Sequence, residues 1–317
     1  MAVTGTQFVL EHADYQAEVA SVGASLRTLR YRSRDLIVGF EPDELRPAMR
    51  GTLLAPWPNR TADGRYEFAG RDRQLPLNEP ELGNAAHGLV AWQDFVPVTV
   101  EADRLVLKTT IQAQPGYPWQ VDLSVHFDLD EHGLRQEVVA TNRSDSPAPF
   151  GVGGHPYVLA GRCQPHAIDG WSLELSAEQV MLVSTDRLLP VAIVDVADHA
   201  SGLFDFRSAR PIADTRLNNA FTAFERDASG IARVVVTDPG GTGVEVSFDE
   251  RCAWAQIYSA DEPRAVTDRH GIAIEPTTCP PDAFNSKRDL AVIAPGASST
   301  AGWRIRALNI SRPRTME

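Results

Sequence analysis

The sequence is short of cysteine, of long apolar runs and of positive charge. Its three cysteines, Cys163, Cys252 and Cys279, are odd in number and far apart. Neither a disulfide framework nor a paired-cysteine zinc cluster is expected from them. They read as buried or half-buried thiols of a reducing compartment. No aliphatic run approaches the ~20 residues that span a bilayer, and Val234-Val235-Val236 is typical of what there is. The N-terminal segment has no basic residue before Arg27, which argues against a secretory leader and for a cytoplasmic chain. Against 42 Asp and Glu stand 30 Lys and Arg, a formal charge of −12. A phosphate backbone wants the opposite sign, so neither a nucleic-acid nor a membrane partner is expected. Familiar catalytic motifs are missing too: there is no Walker A run, no GxGxxG after a strand, no HExxH and no GxSxG elbow. P-loop phosphoryl transfer, dinucleotide hydride transfer, zincin hydrolysis and serine-elbow acyl transfer lose their support with them.

What is present is a chain of 317 residues with 43% hydrophobic side chains, ample for a buried core and incompatible with disorder. Its dominant period is two. Val121–Leu129 alternates apolar and polar residues without a break, and Trp171–Leu175, Val244–Phe248 and Trp303–Arg306 do the same. Phe8–Leu10, Ala17–Ala20, Leu105–Ile111, Leu134–Ala140, Ile231–Thr237 and Ala253–Tyr258 are further strand candidates. Asp130-Glu131-His132-Gly133 and Asp238–Gly243 sit between strand candidates as hairpin turns. Short helical turns are expected only at Ala177–Val180 and Glu262–Val266. The polar stretch Asn142–Pro149 is the best boundary candidate, but it reads equally as a surface loop. The expectation is one all-β domain over residues 1–317, a large antiparallel two-sheet β-sandwich.

Three segments stand out for chemistry. His87 in Gly83–Leu89 and His155 in Gly151–Tyr157 are flanked by glycine or small residues, which admit close backbone approach and leave an imidazole uncrowded. Glu275 closes the apolar run Gly271–Ile274 just before Pro276, a residue expected to end regular pairing. It is either a strand-end surface carboxylate or a partly desolvated one of raised basicity. Gly51–Arg60 runs from apolar residues into Pro56-Trp57-Pro58-Asn59-Arg60, where an indole and a guanidinium together suit a sugar. Trp92, Trp119 and Tyr157 are alternative stacking faces, or core aromatics. The set suggests acid–base chemistry by His and Glu without cofactor or metal.

These segments, in this order, resemble the aldose 1-epimerase (mutarotase) family of galactose mutarotase-like β-sandwich proteins. The carriers are Val22–Leu29, Pro58–Tyr66, Asn84–Leu89, Gly154–Tyr157 and Ile274–Pro276, spread over nearly the whole chain. The resemblance implies that Glu275 takes the proton from the anomeric hydroxyl and that His155 protonates the ring oxygen. It places His87 near that oxygen, and Asn59 and Arg60 on sugar hydroxyls. One position departs from the family pattern. Leu217-Asn218-Asn219-Ala220-Phe221 has Asn218 where an aspartate is expected, which keeps an acceptor but loses a charge. Asp214 nearby is a substitute candidate.

The expected reaction opens the hemiacetal, rotates about C1–C2 and recloses it. A carboxylate and an imidazolium on opposite sides of the ring would exchange protons with O1 and O5. The expected partner is a monosaccharide, and the expected state a monomer or homodimer. A non-catalytic sugar sensor on the same fold, or a lyase or glycosidase, is the alternative; a glycosidase would want a second carboxylate. A phosphorylated sugar would call for a cationic pocket rim, for which Arg65, Arg71 and Arg73 are candidates.

Overall fold

Two large antiparallel sheets dominate the computed structural model, which describes residues 2–262 and 267–309. The period-two runs build them. Val121–Asp130 buries every second residue and pairs in register with Gly133–Asn142 across the Asp130–Gly133 turn. Ala232–Thr237 and Thr242–Phe248 form a second hairpin, and Ser298–Asn309 joins the two hairpins edge to edge. These five strands are the middle of a nine-stranded sheet. The facing sheet has eight strands in all, with Asn218–Phe224, Trp254–Tyr258 and Ile272–Thr277 at its centre.

The sheets share one core. Leu123, Val246 and Trp303 from the first and Ile257 and Ile274 from the second belong to the same buried cluster. The sheets come close at Gly154, where an added Cβ would lie 2.4 Å from the Trp303 indole. The glycines before His155 therefore have a packing reason: Gly154 lets the opposite sheet come close, and Gly153 leaves room for Thr277 of the neighbouring strand. A separate four-stranded sheet, Gln7–His12, Tyr15–Ala20, Ser25–Tyr31 and Arg34–Asp35, packs on Val121–Asp130. Among the described residues no helix is long and apolar enough to cross a membrane.

Three local expectations are corrected. Ala177–Val180 is not helical but opens the strand Ala177–Val183, paired on both edges. Two ladders outweigh the helix preference of Ala-Glu-Gln. Pro276 does not end pairing: it lies inside Ile272–Thr277, opposite Ala255, and the strand is buried along its whole length. The Trp57 indole is no sugar platform. It is buried against Phe284 and donates to the Ala85 carbonyl at 3.2 Å. Of the second expected helical turn, positions 263–266 lie outside the described residues.

Candidate active site

Neighbouring strands of the eight-stranded sheet aim polar side chains from one face. Gln256 sits directly opposite Glu275 in the ladder, and Asn218 directly opposite Tyr258. Since period two returns Tyr258 to the face of Gln256, all four converge. The Gln256 amide nitrogen donates to Asn218 Oδ1 at 2.8 Å. His155 and Tyr157 enter from the segment paired with Ile272–Thr277, their rings stacked at 5.2 Å.

A small ribbon, Arg60–Ala62 paired with Asn84–Ala86, brings Asn59, Arg60 and His87 to the same place. Asn59 and His87 both take left-handed backbone angles, φ 55° and 62°, and the His87 amide donates to the Asn59 carbonyl at 2.8 Å. The next residue must be glycine, because a Cβ on Gly88 would fall 2.0 Å from the Ala55 carbonyl oxygen. Together these groups line a pocket of about 370 Å³, within the ~300–1,000 Å³ usual for small-ligand sites. Size alone does not single it out, since a groove of about 540 Å³ runs past Arg65, Arg73 and Asn285.

The chemistry lies at the pocket floor. His155 Nε2 is 3.5 Å from Glu275 Oε1, and the two residues are 6% and 3% exposed. The His87 and His155 rings meet edge to face at 5.4 Å. Burial pushes the Glu275 carboxyl up to about 8, with the Arg60 charge pulling the other way. Burial drives His87 down to about 3, helped by Arg60. It also drives His155 well below the usual imidazole range, with His87 adding to the effect. The proton that the pair shares at neutral pH therefore rests on the carboxyl. Glu275 Oε2, Gln256 Oε1, His87 Nδ1 and His155 Nδ1 are buried without a hydrogen-bond partner. Four such atoms around one small pocket suit a ligand rich in hydroxyls. Among the described residues no three His, Cys, Asp or Glu side chains are grouped as metal ligands.

The model of the family described as aldose 1-epimerase matches residues 6–306. The chain belongs to the aldose 1-epimerase family. It is 33% identical to the uncharacterised protein YihR of Escherichia coli K12, over 93% of this chain and 91% of that one. It is 24% identical to mouse galactose mutarotase, over 64% and 61% of the two chains. The GalM/aldose epimerase homologue from C. elegans superimposes with a TM-score of 0.84 at 18% identity, covering 96% and 99% of the chains. The sandwich is thus the galactose mutarotase-like fold.

Against the roles that the family resemblance implies, the structure brings Glu275, His155, His87, Arg60, Asn59, Asn218 and Tyr157 into one pocket. It does not bring two others there. Asp214 is exposed outside the pocket, so it does not replace the charge missing at Asn218. Trp119 is buried in an aromatic cluster with Phe68 and Tyr117, its indole donating to Ser146 Oγ at 3.1 Å. Trp92 is half exposed under the Arg46 guanidinium, away from the pocket. Arg65 and Arg73 line the separate groove on their hairpin, and Arg71 is exposed on that same hairpin, so none of the three forms a cationic rim here.

The acid and base are also neighbours rather than facing each other across a ring. O1 and O5 are substituents of the same carbon, so adjacent groups can serve both. Sequence reasoning missed Gln256, Tyr258, Glu79 and Glu262 on the pocket wall. Gln256 had a signal: its strand places it and Tyr258 on one face. Glu79 had none.

Proposed function

We propose that this member of the family is a mutarotase, interconverting the α and β anomers of an aldose by general acid–base chemistry. One observation carries the reading: a carboxyl and an imidazole, both buried, held 3.5 Å apart beside further unpartnered polar atoms. A module that only bound sugar would have no use for such a pair.

The reaction follows from the geometry. A cyclic aldose seated over the pair presents its O1 hydroxyl to Glu275 and its O5 to His155. The proton that rests on Glu275 first passes to His155, and the Glu275 carboxylate so formed removes the O1 proton as C1–O1 becomes a carbonyl. The C1–O5 bond breaks, and O5 takes the proton from His155. Rotation about C1–C2 turns the other carbonyl face toward O5. Closure reverses both transfers, so no proton is gained or lost overall. Each positioned group is worth ~10²–10⁴-fold. Arg60, Asn59, Asn218 and Gln256 hold the remaining hydroxyls, and His87 supports the ring-oxygen side of the site.

The test is direct. Freshly dissolved α-galactose or α-glucose, followed by polarimetry, should reach anomeric equilibrium faster with the protein than in buffer. Buffer-rate kinetics across a panel of hexoses, pentoses and acidic or phosphorylated aldoses would reject the proposal.

A further inference from the structure

Arg60 is the one Lys or Arg among the described residues lining the pocket, and another side chain already engages it. Its Nε and Nη2 donate to the two carboxylate oxygens of Glu79, both at 2.8 Å. Its Nη1 has only a long contact of 3.5 Å to Asn59 Oδ1. A forked arginine–carboxylate pair of this kind is directional as well as charged. It is also braced. Asn84 Nδ2 donates to Glu79 Oε2 at 3.0 Å, and the main chains of Glu79 and Asn84 bond each other in both directions. Arg187 clamps the same loop from outside, donating to the Leu82 and Gly83 carbonyls at 2.8 and 2.9 Å. Glu79 is therefore a fixed part of the pocket wall and not a loose surface partner.

We infer that Glu79 is a specificity-determining residue of this site. By holding Arg60 through two of its five N–H donors and offsetting its charge, it leaves a sugar the two N–H of Nη1 and the outer N–H of Nη2. A neutral hydroxyl is well served by those donors. An anionic substituent at the same position would have to break the fork or lie beside the Glu79 carboxylate, and either is unfavourable. The inference rests on the aldose reading of the pocket and adds to it the class of substituent that Arg60 accepts.

The pair also insulates the base. Arg60 is the charge that pulls Glu275 down from where burial sets it. With Glu79 neutralised, Arg60 acts unopposed, and the pair at the pocket floor gives up its last proton at lower pH.

The experiment compares wild type with Glu79→Gln, using calorimetric binding of galactose, galacturonate and galactose 6-phosphate. The galactose preference over the anionic sugars should fall at least tenfold in Glu79→Gln. The alkaline limb of its mutarotation profile should move down by about one pH unit. Glu79→Ala should shift the preference the same way, and Glu79→Asp, which keeps the charge, should stay nearer wild type. A preference unchanged within twofold in the folded variants, or equal weakening of all three sugars, would overturn the inference. If wild type binds sugars but does not speed their mutarotation, the mutarotase reading fails while this binding comparison still decides the role of Glu79. If wild type binds none of them, both fall.

Discussion

Two polar faces of this molecule carry the same residue types and do different things with them. On the outer face of the nine-stranded sheet, Glu245 is 5% exposed, and both its oxygens accept from Arg306 at 2.8 Å. A second guanidinium, Arg233, stands 3.6 Å away. Around it Arg304 pairs with Asp130 and Arg251 with Asp249. In the pocket, Glu275 is 3% exposed, as buried as Glu245, yet it faces an imidazole and keeps one oxygen unpartnered. Burial is common to both carboxylates, and pairing is what separates them. A buried carboxylate with arginines around it is part of the architecture. One left with a neutral neighbour can exchange a proton near neutral pH, which is a chemical property.

The comparison breaks most easily by exchanging each carboxylate for its amide. Glu275→Gln should lower the mutarotation rate by ~10³-fold or more while sugar binding remains, because shape is kept and basicity is lost. Glu245→Gln should leave the rate within twofold of wild type. It should instead lower stability to urea by ~1–3 kcal/mol, since one of the two buried oxygens that accept from Arg306 becomes an amide donor facing it. Partial exposure of Arg306 keeps that loss toward the smaller value. Equal effects of the two changes on polarimetric rate would erase the distinction.

The pH profile sharpens it. Glu275 holds the pair's one proton until about pH 8, and His155 takes a second only well below its ordinary range. Ring opening needs one shared proton, so activity should persist below pH 6.5 and fall as pH rises through about 8. An unburied pair would behave otherwise, losing its imidazolium near the ordinary histidine value of about 6.5. An alkaline limb at about 6.5 would show that burial does not hold the proton on the pair.

The smallest expected effect is at Asn218. Asn218→Asp keeps the acceptor for the Gln256 amide and adds a charge beside it. It should change KM by up to ~10-fold with kcat nearly unchanged, because the role proposed for the residue is to bind hydroxyls and not to move a proton. Steady-state rates on two or three epimeric hexoses check this, and a large fall in kcat would place Asn218 in the proton chemistry.

The strands were legible because alternation is local: Val121–Asp130 and its hairpin need only their own residues to announce a half-buried strand. Glu275, His155, His87 and Arg60 were legible because short segments around them resemble a family. Other readings failed where a residue type suits two environments. Trp119 and Trp57 carry the indoles that would suit a sugar, but both serve the core. Gly153 and Gly154 suggested room around His155, whereas Gly154 accommodates Trp303 from the opposite sheet and Gly153 accommodates Thr277 from the neighbouring strand. Glu79 was invisible because its meaning depends on Arg60, 19 positions away in sequence.

The amino-acid sequence by itself determined the class of fold and the pool of groups available for chemistry, since period, turn residues and side-chain identity are properties of short stretches. Only the tertiary structure decided which of those groups act together. Proton affinity depends on burial and on the nearest charges, and those are set where strands distant in sequence converge on one face of a sheet.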